Sequence, residues 1–303
     1  MPALPTEHRP YKEIALLGSG AQGQVWKCQY VDAPPTEFIV VKKMSFTPAQ
    51  RSNFERIKSQ ATIIYGLRHN HLIQYLDVIA QESPMALSVV MPFYEEKDML
   101  AYLNSVNMSG KAIPEFTLCS LILQIAKALW YLHSRNPPML HRDVKPENIL
   151  MFDNMERTLL MDLDMSRELP TANAAVTRVG TPEYMAPEAA KGYPQTPKSD
   201  VWSLGACMLV LGILPSHLKL PNPRTRRDEH YNADTWAAAD LDNVIVQTLD
   251  RRTTKRAAPP YSNKMKRLLQ EMLRHDPSQR PGADYVIQKL EEICTDCLLS
   301  AAE

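Results

Sequence analysis

Along the first ninety or so residues, short apolar runs separated by polar and turn residues read mostly as strands. The runs at 13–17, 24–30 and 38–44 are rich in β-branched and aromatic residues, and two more follow at 73–78 and 86–92. One helix interrupts them. It is announced by Thr47-Pro48-Ala49-Gln50, a Thr cap with proline at the first helical position and Gln three residues after the cap. Its apolar face runs Phe54, Ile57, Ala61, Ile64 and Leu67 at helical spacing. After Phe93 the pattern changes. Long apolar segments at 116–133 and 199–214 and amphipathic ones at 263–274 and 283–294 predict helices. Strands gathered first and helices afterwards predict an α+β chain with a small β-rich part and a larger helical part. The stretch 215–260 is polar, contains proline and shows no clear period.

Composition narrows the classes. With 303 residues the chain accommodates two domains or one large two-lobed unit, and 45% hydrophobic residues suffice for a real core. Thirty-four basic side chains balance thirty-four acidic ones, so a nucleic-acid-coating role, which needs a basic excess, is not expected. Five cysteines are too few for a disulfide framework and suggest a reducing compartment. The first thirteen residues hold no apolar run, and the most apolar stretch, 201–214, is shorter than a membrane span. The expectation is a cytoplasmic chain without a membrane span, the nucleus remaining open.

Glycine usage gives the first chemical clue. Three of only ten glycines, Gly18, Gly20 and Gly23, fall in GSGAQGQV between two predicted strands. A dinucleotide-binding turn would open a helix instead, so a glycine hairpin that lets backbone N–H groups approach phosphate oxygens fits better. Further along come IVVK at 39–42, HRDVKPEN at 141–148, DLD at 162–164, GTPEYMAPE at 180–188 and SDVWSLG at 199–205.

In this order and spacing the motifs resemble the eukaryotic protein-kinase family, serine/threonine type, over about residues 11–295. The activation-segment region is somewhat similar to NIMA-related kinases or to the cyclic-nucleotide-dependent group. The resemblance implies a two-lobed fold: a tail at 1–10, an N-lobe at 11–93, a C-lobe at 94–297 with the polar insertion at about 215–260, and a tail at 298–303. It implies ATP and Mg²⁺ as cofactors and a protein Ser/Thr hydroxyl as acceptor. Lys42 then pairs with the α- and β-phosphates, Asp162 and Asn148 hold Mg²⁺, Asp143 accepts the hydroxyl proton, and Lys145 neutralises the γ-phosphate. Leu17, Gly18, Gly20, Gly23, Val25, Val40 and Leu150 surround the nucleotide. Met91 is the gatekeeper, Pro92 and Tyr94 supply a carbonyl and an N–H to adenine, and Asp98 contacts either ribose or a substrate arginine. Glu147 is implied as a second arginine contact, giving a preference for basic residues two or three positions upstream. Ile64, Tyr75, His141 and Leu163 fall on a buried spine, and Glu188 with Arg280 resembles a structural ion pair. Thr177, with Thr171 behind it, is the candidate regulatory phosphosite, and Arg142 its partner. Lys145 and Thr181 favour Ser/Thr over tyrosine. The oligomeric state is not read.

Other signals have plainer readings. Cys294 and Cys297 form a CxxC with no second pair, so helix packing or exposure is preferred to zinc. The basic runs 224–227 and 251–256 read as solvated surface, and Trp236 as an anchor for the insertion. A one-residue insertion between Asn148 and Asp162 is expected in the turn at 153–156.

Two departures matter. Nine residues before His69, where the family carries a helix glutamate, stands Gln60. The nearest acid on that helix, Glu55, is five residues earlier and about 140° round the helix. Asp164 stands where glycine is usual, with an expected cost of about 1–2 kcal/mol for a left-handed conformation. Both keep open a nucleotide-binding scaffold without catalysis; a small-molecule kinase of the aminoglycoside type would lack the Ala186-Pro187-Glu188 segment. Exchanging a charged hydrogen bond for a neutral one removes about 1 kcal/mol. Gln60→Glu is therefore expected to raise peptide phosphorylation about fivefold, and unchanged turnover would show that the missing acid does not limit the rate.

Overall fold

The computed structural model describes residues 4–5, 7–20, 23–34, 36–109, 112–152, 156–168, 181–213, 219–221, 228–230, 238–255 and 259–302. The chain divides into two compact units, Met1–Glu95 and Glu96–Glu303. Sheet and one helix lie in the first, helices and short ribbons in the second, so the α+β class expected from the periodicity is the class observed.

The first unit is a five-stranded antiparallel sheet of β1 (Tyr11–Gly20), β2 (Gly23–Tyr30), β3 (Ile39–Ser45), β4 (Asp77–Glu82) and β5 (Met85–Pro92), in the order β1-β2-β3-β5-β4. Alternation along β3 sends Ile39 and Val41 to one face, where they bury with Cys28 and Val90 beneath Tyr11, Trp26 and Tyr30. Helix α1 (Arg51–Tyr65) buries Phe54, Ala61 and Ile64, and the Gln50 Oε1 accepts the Thr47 N–H at 2.9 Å just before it. The run 73–78 is not the strand its apolar residues suggested. Glu82 pairs with Met85 across a turn at Ser83 and Pro84, and this register pulls the strand forward to Asp77–Glu82. Ile73 and Tyr75 are buried outside the ladder.

The second unit is built on α3 (Glu115–His133) and α5 (Pro197–Ile213), preceded by α2 (Met99–Ser109). Among the described residues α3 is the one helix long and apolar enough to cross a membrane by length and composition. Nine of its side chains are buried, and it lies against α5 and the last helix of the chain, as a core helix does. Helix α5 is apolar nearly all round and accordingly buried nearly all round. Between α3 and α5 run the short strands β6 (Met139–Leu140), β7 (Ile149–Phe152), β8 (Arg157–Leu160) and β9 (Arg167–Glu168), then the short helix α4 (Pro187–Ala190). β7 pairs with β8 and β6 with β9.

The stretch without a clear period holds a small hairpin, β10 (Lys219–Pro221) with β11 (Asp228–His230), and the long helix α6 (Ala238–Lys255). Leu241, Ile245 and Leu249 of α6 are buried at four-residue spacing, a stripe diluted in sequence by the polar residues between. Helices α7 (Asn263–Met272) and α8 (Ala283–Ala302) close the unit, and α8 continues eight residues past its predicted end.

One glycine of the first hairpin is dictated by geometry. Gly23 has φ +118°, and a Cβ there would lie 2.2 Å from the Lys43 carbonyl oxygen, whereas a Cβ on Gly18 or Gly20 would meet nothing within 4 Å. Gly23→Ala is expected to destabilise the protein by about 1–3 kcal/mol or more and Gly18→Ala by under about 1 kcal/mol. Thermal denaturation of the two variants checks this, and equal losses would contradict it.

Candidate active site

The predicted nucleotide-binding residues of the first unit are gathered by strand register. Residues 40 and 42 alternate away from the buried Ile39 and Val41. Val25 lies opposite Lys42 on β2, and Met91 lies opposite Val40 on β5. Val25, Val40, Lys42 and Met91 therefore share one half-buried face of the sheet. On β1, Gly18 sits opposite Val25 and Gly20 opposite Gly23, while Leu17 falls at a register shift and is 50% exposed. Pro92 ends β5, where its missing N–H breaks no ladder, and Tyr94 follows half-buried.

In the second unit the catalytic-loop candidates hang from one buried carboxylate. Asp200, in the first turn of α5, accepts from His133 Nε2 at 2.8 Å and the His141 N–H at 2.9 Å through Oδ2, and from the Arg142 N–H at 2.8 Å through Oδ1. Burial by itself raises its pKa. The hydrogen bond from His133 first, with the Arg142 N–H, outweighs it and holds the group below its ordinary value. Pinned in this way, Arg142 takes the left-handed φ of 72°. His141 has one consistent tautomer. Nε2 faces the Met161 carbonyl at 2.9 Å and must carry the proton, leaving Nδ1 to accept the Asp143 N–H at 3.3 Å.

Asp143 is the meeting point. Its Oδ1 accepts the Thr181 hydroxyl at 3.1 Å, and its Oδ2 accepts Lys145 Nζ at 2.8 Å and Asn148 Nδ2 at 3.0 Å. Lys145 also donates to Thr181 Oγ1 at 2.9 Å, so that hydroxyl must send its proton to Asp143. A carboxylate has about four lone-pair sites, and three are used, leaving one for a further hydroxyl.

Asn148 Nδ2 donates as well to the Asp143 carbonyl at 2.8 Å. Both interactions turn the amide nitrogen toward Asp143 and leave Oδ1 on the other side. Asp162 precedes a single turn at Leu163–Met165 and accepts from the Asp164 N–H at 3.4 Å. Among the described residues no group of three or more His, Cys, Asp or Glu side chains is placed to hold a metal. An amide and one carboxylate nonetheless suit Mg²⁺, which uses one or two protein oxygens and completes its shell with water and phosphate.

The left-handed residue of DLD is Asp162, with φ 53°, and not Asp164. Asp164 lies inside the helical turn, where any residue fits, so the strain expected from replacing glycine there does not arise.

Leu150 is buried on β7 and bridges to Asp98, whose Oδ1 accepts the Ala101 N–H at 2.7 Å and caps α2. Glu147 Oε2 is buried with no hydrogen-bond partner. Thr177, Thr171, Trp236, the run 224–227 and the turn residues 153–155 lie outside the described residues, as do the side chains of 251–256. Cys294 and Cys297 are free and partly buried on α8, and burial pushes the Cys294 thiol up to about 11. Reasoning from sequence missed the anchoring roles of His133 and Asp200. Nothing local in the sequence around His133 signals a bond to Asp200, 67 positions away.

Glu188 and Arg280 form the buried pair. Arg280 donates to Glu188 Oε1 at 2.8 Å and Oε2 at 3.1 Å, Ser199 Oγ adds a bond of 2.7 Å, and Arg280 also reaches the carbonyls of Lys198 and Arg274. Burial pushes the Glu188 pKa up, but Arg280 and Ser199 bring it below its usual value. Its stabilisation is complete above the unfolded-state pKa of about 4.3 and is lost as pH falls through the lower folded value. Arg280→Met alone is expected to cost about 3–5 kcal/mol in urea unfolding, and less when combined with Glu188→Leu. An equal or larger loss in the double variant would show that the pair's charge is not the issue.

Residues 11–290 match the family described as protein kinase domain. Among curated relatives, the serine/threonine-protein kinase nekl-2 of Caenorhabditis elegans is 28% identical over 286 residues, covering 91% of this chain and 72% of that protein. Serine/threonine-protein kinase Nek6 of Oryza sativa subsp. japonica is 30% identical, covering 92% of this chain and 47% of its own length. Serine/threonine-protein kinase Nek8 of Danio rerio is 25% identical, covering 96% and 37%. The chain thus spans less than half the length of the last two.

Proposed function

The chain belongs to the eukaryotic protein-kinase family and is similar to NIMA-related serine/threonine kinases, and from that premise we propose that it phosphorylates protein Ser/Thr hydroxyls with ATP. The observation that carries the reading is the Asp143 carboxylate, held by Lys145, Thr181 and Asn148 with one lone-pair site left over.

In this reading Asp143 orients the acceptor hydroxyl and takes its proton as the oxygen attacks the γ-phosphorus. The bond from that phosphorus to the β-phosphate bridging oxygen breaks, and ADP leaves. Lys145 neutralises γ-phosphate oxygens from beside Asp143. Lys42 pairs with the α- and β-phosphates, and the hairpin of Gly18, Gly20 and Gly23 presents backbone N–H groups to them. Val25, Val40, Leu17, Met91 and Leu150 enclose adenine, which the Pro92 carbonyl and Tyr94 N–H read along its edge. Asp98, already capping α2, faces ribose or substrate. Asn148 Oδ1 and the Asp162 carboxylate would hold Mg²⁺. Bound there, the metal would neutralise charge on the phosphate oxygens. Arg142 meets the phosphate of Thr177 once that residue is modified.

The unpaired, buried Glu147 Oε2 supports a preference for arginine two or three residues upstream of the acceptor, because a guanidinium would satisfy it. Gln60 in place of an acid favours a second reading, a scaffold that binds nucleotide without turning it over. Turnover of Mg-ATP on peptides with and without upstream arginine decides between them. The expected result is faster phosphorylation of the basic peptide, falling at least about 10²-fold in Asp143→Asn. Nucleotide binding without turnover in the unaltered protein would establish the scaffold instead.

A further inference from the structure

One lysine of the first unit holds its charge between two aromatic rings. Lys27 lies on β2, two residues beyond Val25 and opposite Val40 of β3, so it belongs to the same sheet face as Val25, Val40, Lys42 and Met91. Its Nζ sits 3.9 Å from the centroid of the Phe38 ring and 4.0 Å from that of Phe93, and the two rings meet edge to face at 6.1 Å. Both ammonium distances are well inside the reach of a cation–π attraction. Glu95 Oε1 lies 3.9 Å from the same ammonium, but that carboxylate is 81% exposed and the Lys27 side chain only 19%. Water screens the acid, so the rings hold the cation.

This clamp closes on Phe93, the residue between the two proposed adenine contacts, Pro92 and Tyr94. The Phe93 N–H donates to the Phe38 carbonyl at 3.3 Å, one step beyond the Ile39–Pro92 pair that ends the β3–β5 ladder. A trans peptide is planar with its N–H and C=O opposed, so the Pro92 carbonyl must point the other way, off β3. The side chain and the N–H of Phe93 are thus both fixed, and the peptide groups on either side of it have little freedom to turn. None of Lys27, Phe38 and Phe93 is among the residues assigned to the nucleotide above.

We infer that Lys27, Phe38 and Phe93 are positioning residues for purine binding: by drawing both rings onto itself, the ammonium presets the Pro92 carbonyl and the Tyr94 N–H for the adenine edge. The inference rests on the nucleotide site of the reading above and deepens it. Contacts made ready before the ligand arrives spare it the cost of ordering them. Arginine serves at position 27 as lysine does, because a guanidinium also stacks on aromatic rings, whereas methionine keeps the apolar stem and removes the charge.

Adenosine is the probe, titrated by calorimetry into the full chain, because it engages the adenine contacts and carries no phosphate. The unaltered protein is expected to bind it, Lys27→Met to bind it about three- to tenfold more weakly, and Lys27→Arg to stay within about twofold of the unaltered protein. Phe93→Leu is expected to weaken binding as Lys27→Met does, and the double variant to lose little more than either alone, since both break one arrangement. Circular dichroism of each variant establishes that it is folded. In peptide phosphorylation, Lys27→Met is expected to raise the KM for ATP by the same factor and leave kcat unchanged. Unchanged adenosine affinity in a folded Lys27→Met, or a loss that Lys27→Arg does not restore, overturns the inference and leaves the nucleotide site standing. No adenosine binding by the unaltered chain refutes the nucleotide site and the inference with it. Adenosine binding that depends on the charge of Lys27 in a chain that phosphorylates no peptide refutes the kinase activity and establishes the positioning role.

Discussion

The carboxylate of Asp200 holds together three pieces of chain that are far apart in sequence: the end of α3 through His133, the backbone of the loop after β6 through His141 and Arg142, and its own helix α5. Removing a carboxylate from water is costly, and the three hydrogen bonds it accepts are what repay it. Because the acceptor is buried and its helix is surrounded by core, the loop it holds has little freedom. Asp143 follows directly and inherits a fixed position.

The remaining order spreads from that point. His141 is locked between its neighbour's N–H and the Met161 carbonyl, which ties the loop to the segment carrying Asp162. Asn148 closes back on Asp143 through two bonds. Thr181 reaches in from beyond the undescribed 169–180 stretch to complete the set around Asp143. On the far side, Glu188 and Arg280 join α4 to the turn between α7 and α8. Each of these links satisfies a polar group that would otherwise be buried and alone, so the network stabilises only when complete.

The exceptions to that completeness are informative. His133 Nδ1 and Glu147 Oε2 belong to residues of the network itself, and Gln195 Nε2 to the side chain whose oxygen accepts Arg142 Nε; none of these atoms has a partner. The carboxylate oxygen asks for a donor and the amide nitrogen for an acceptor. Thr248 Oγ1 and His275 Nε2, outside the network, are partnerless as well, so such atoms are not confined to the loop.

Much of this protein was legible in its residues because the relevant signals are local. Runs of β-forming residues marked four of the five strands, apolar spacing marked α1, α3, α5, α7 and α8, and motifs of fixed spacing marked Lys42, Asp143, Asn148 and Asp162. The fifth strand, β4, was displaced because hairpin register, not hydrophobicity, sets its position. Helix α6 was hidden because its buried stripe, Leu241, Val244, Ile245, Thr248 and Leu249, includes a threonine and its other faces are polar. The left-handed residue of DLD was assigned to Asp164, since a sequence shows which residues tolerate positive φ and not which backbone position needs it. What the sequence alone determined was therefore the period of each element and the identity of the chemical groups. Only the tertiary structure decided which groups meet. The bonds from Asp200 to His133 and from Arg280 to Glu188 span 67 and 92 residues, and no local pattern encodes contacts across such separations.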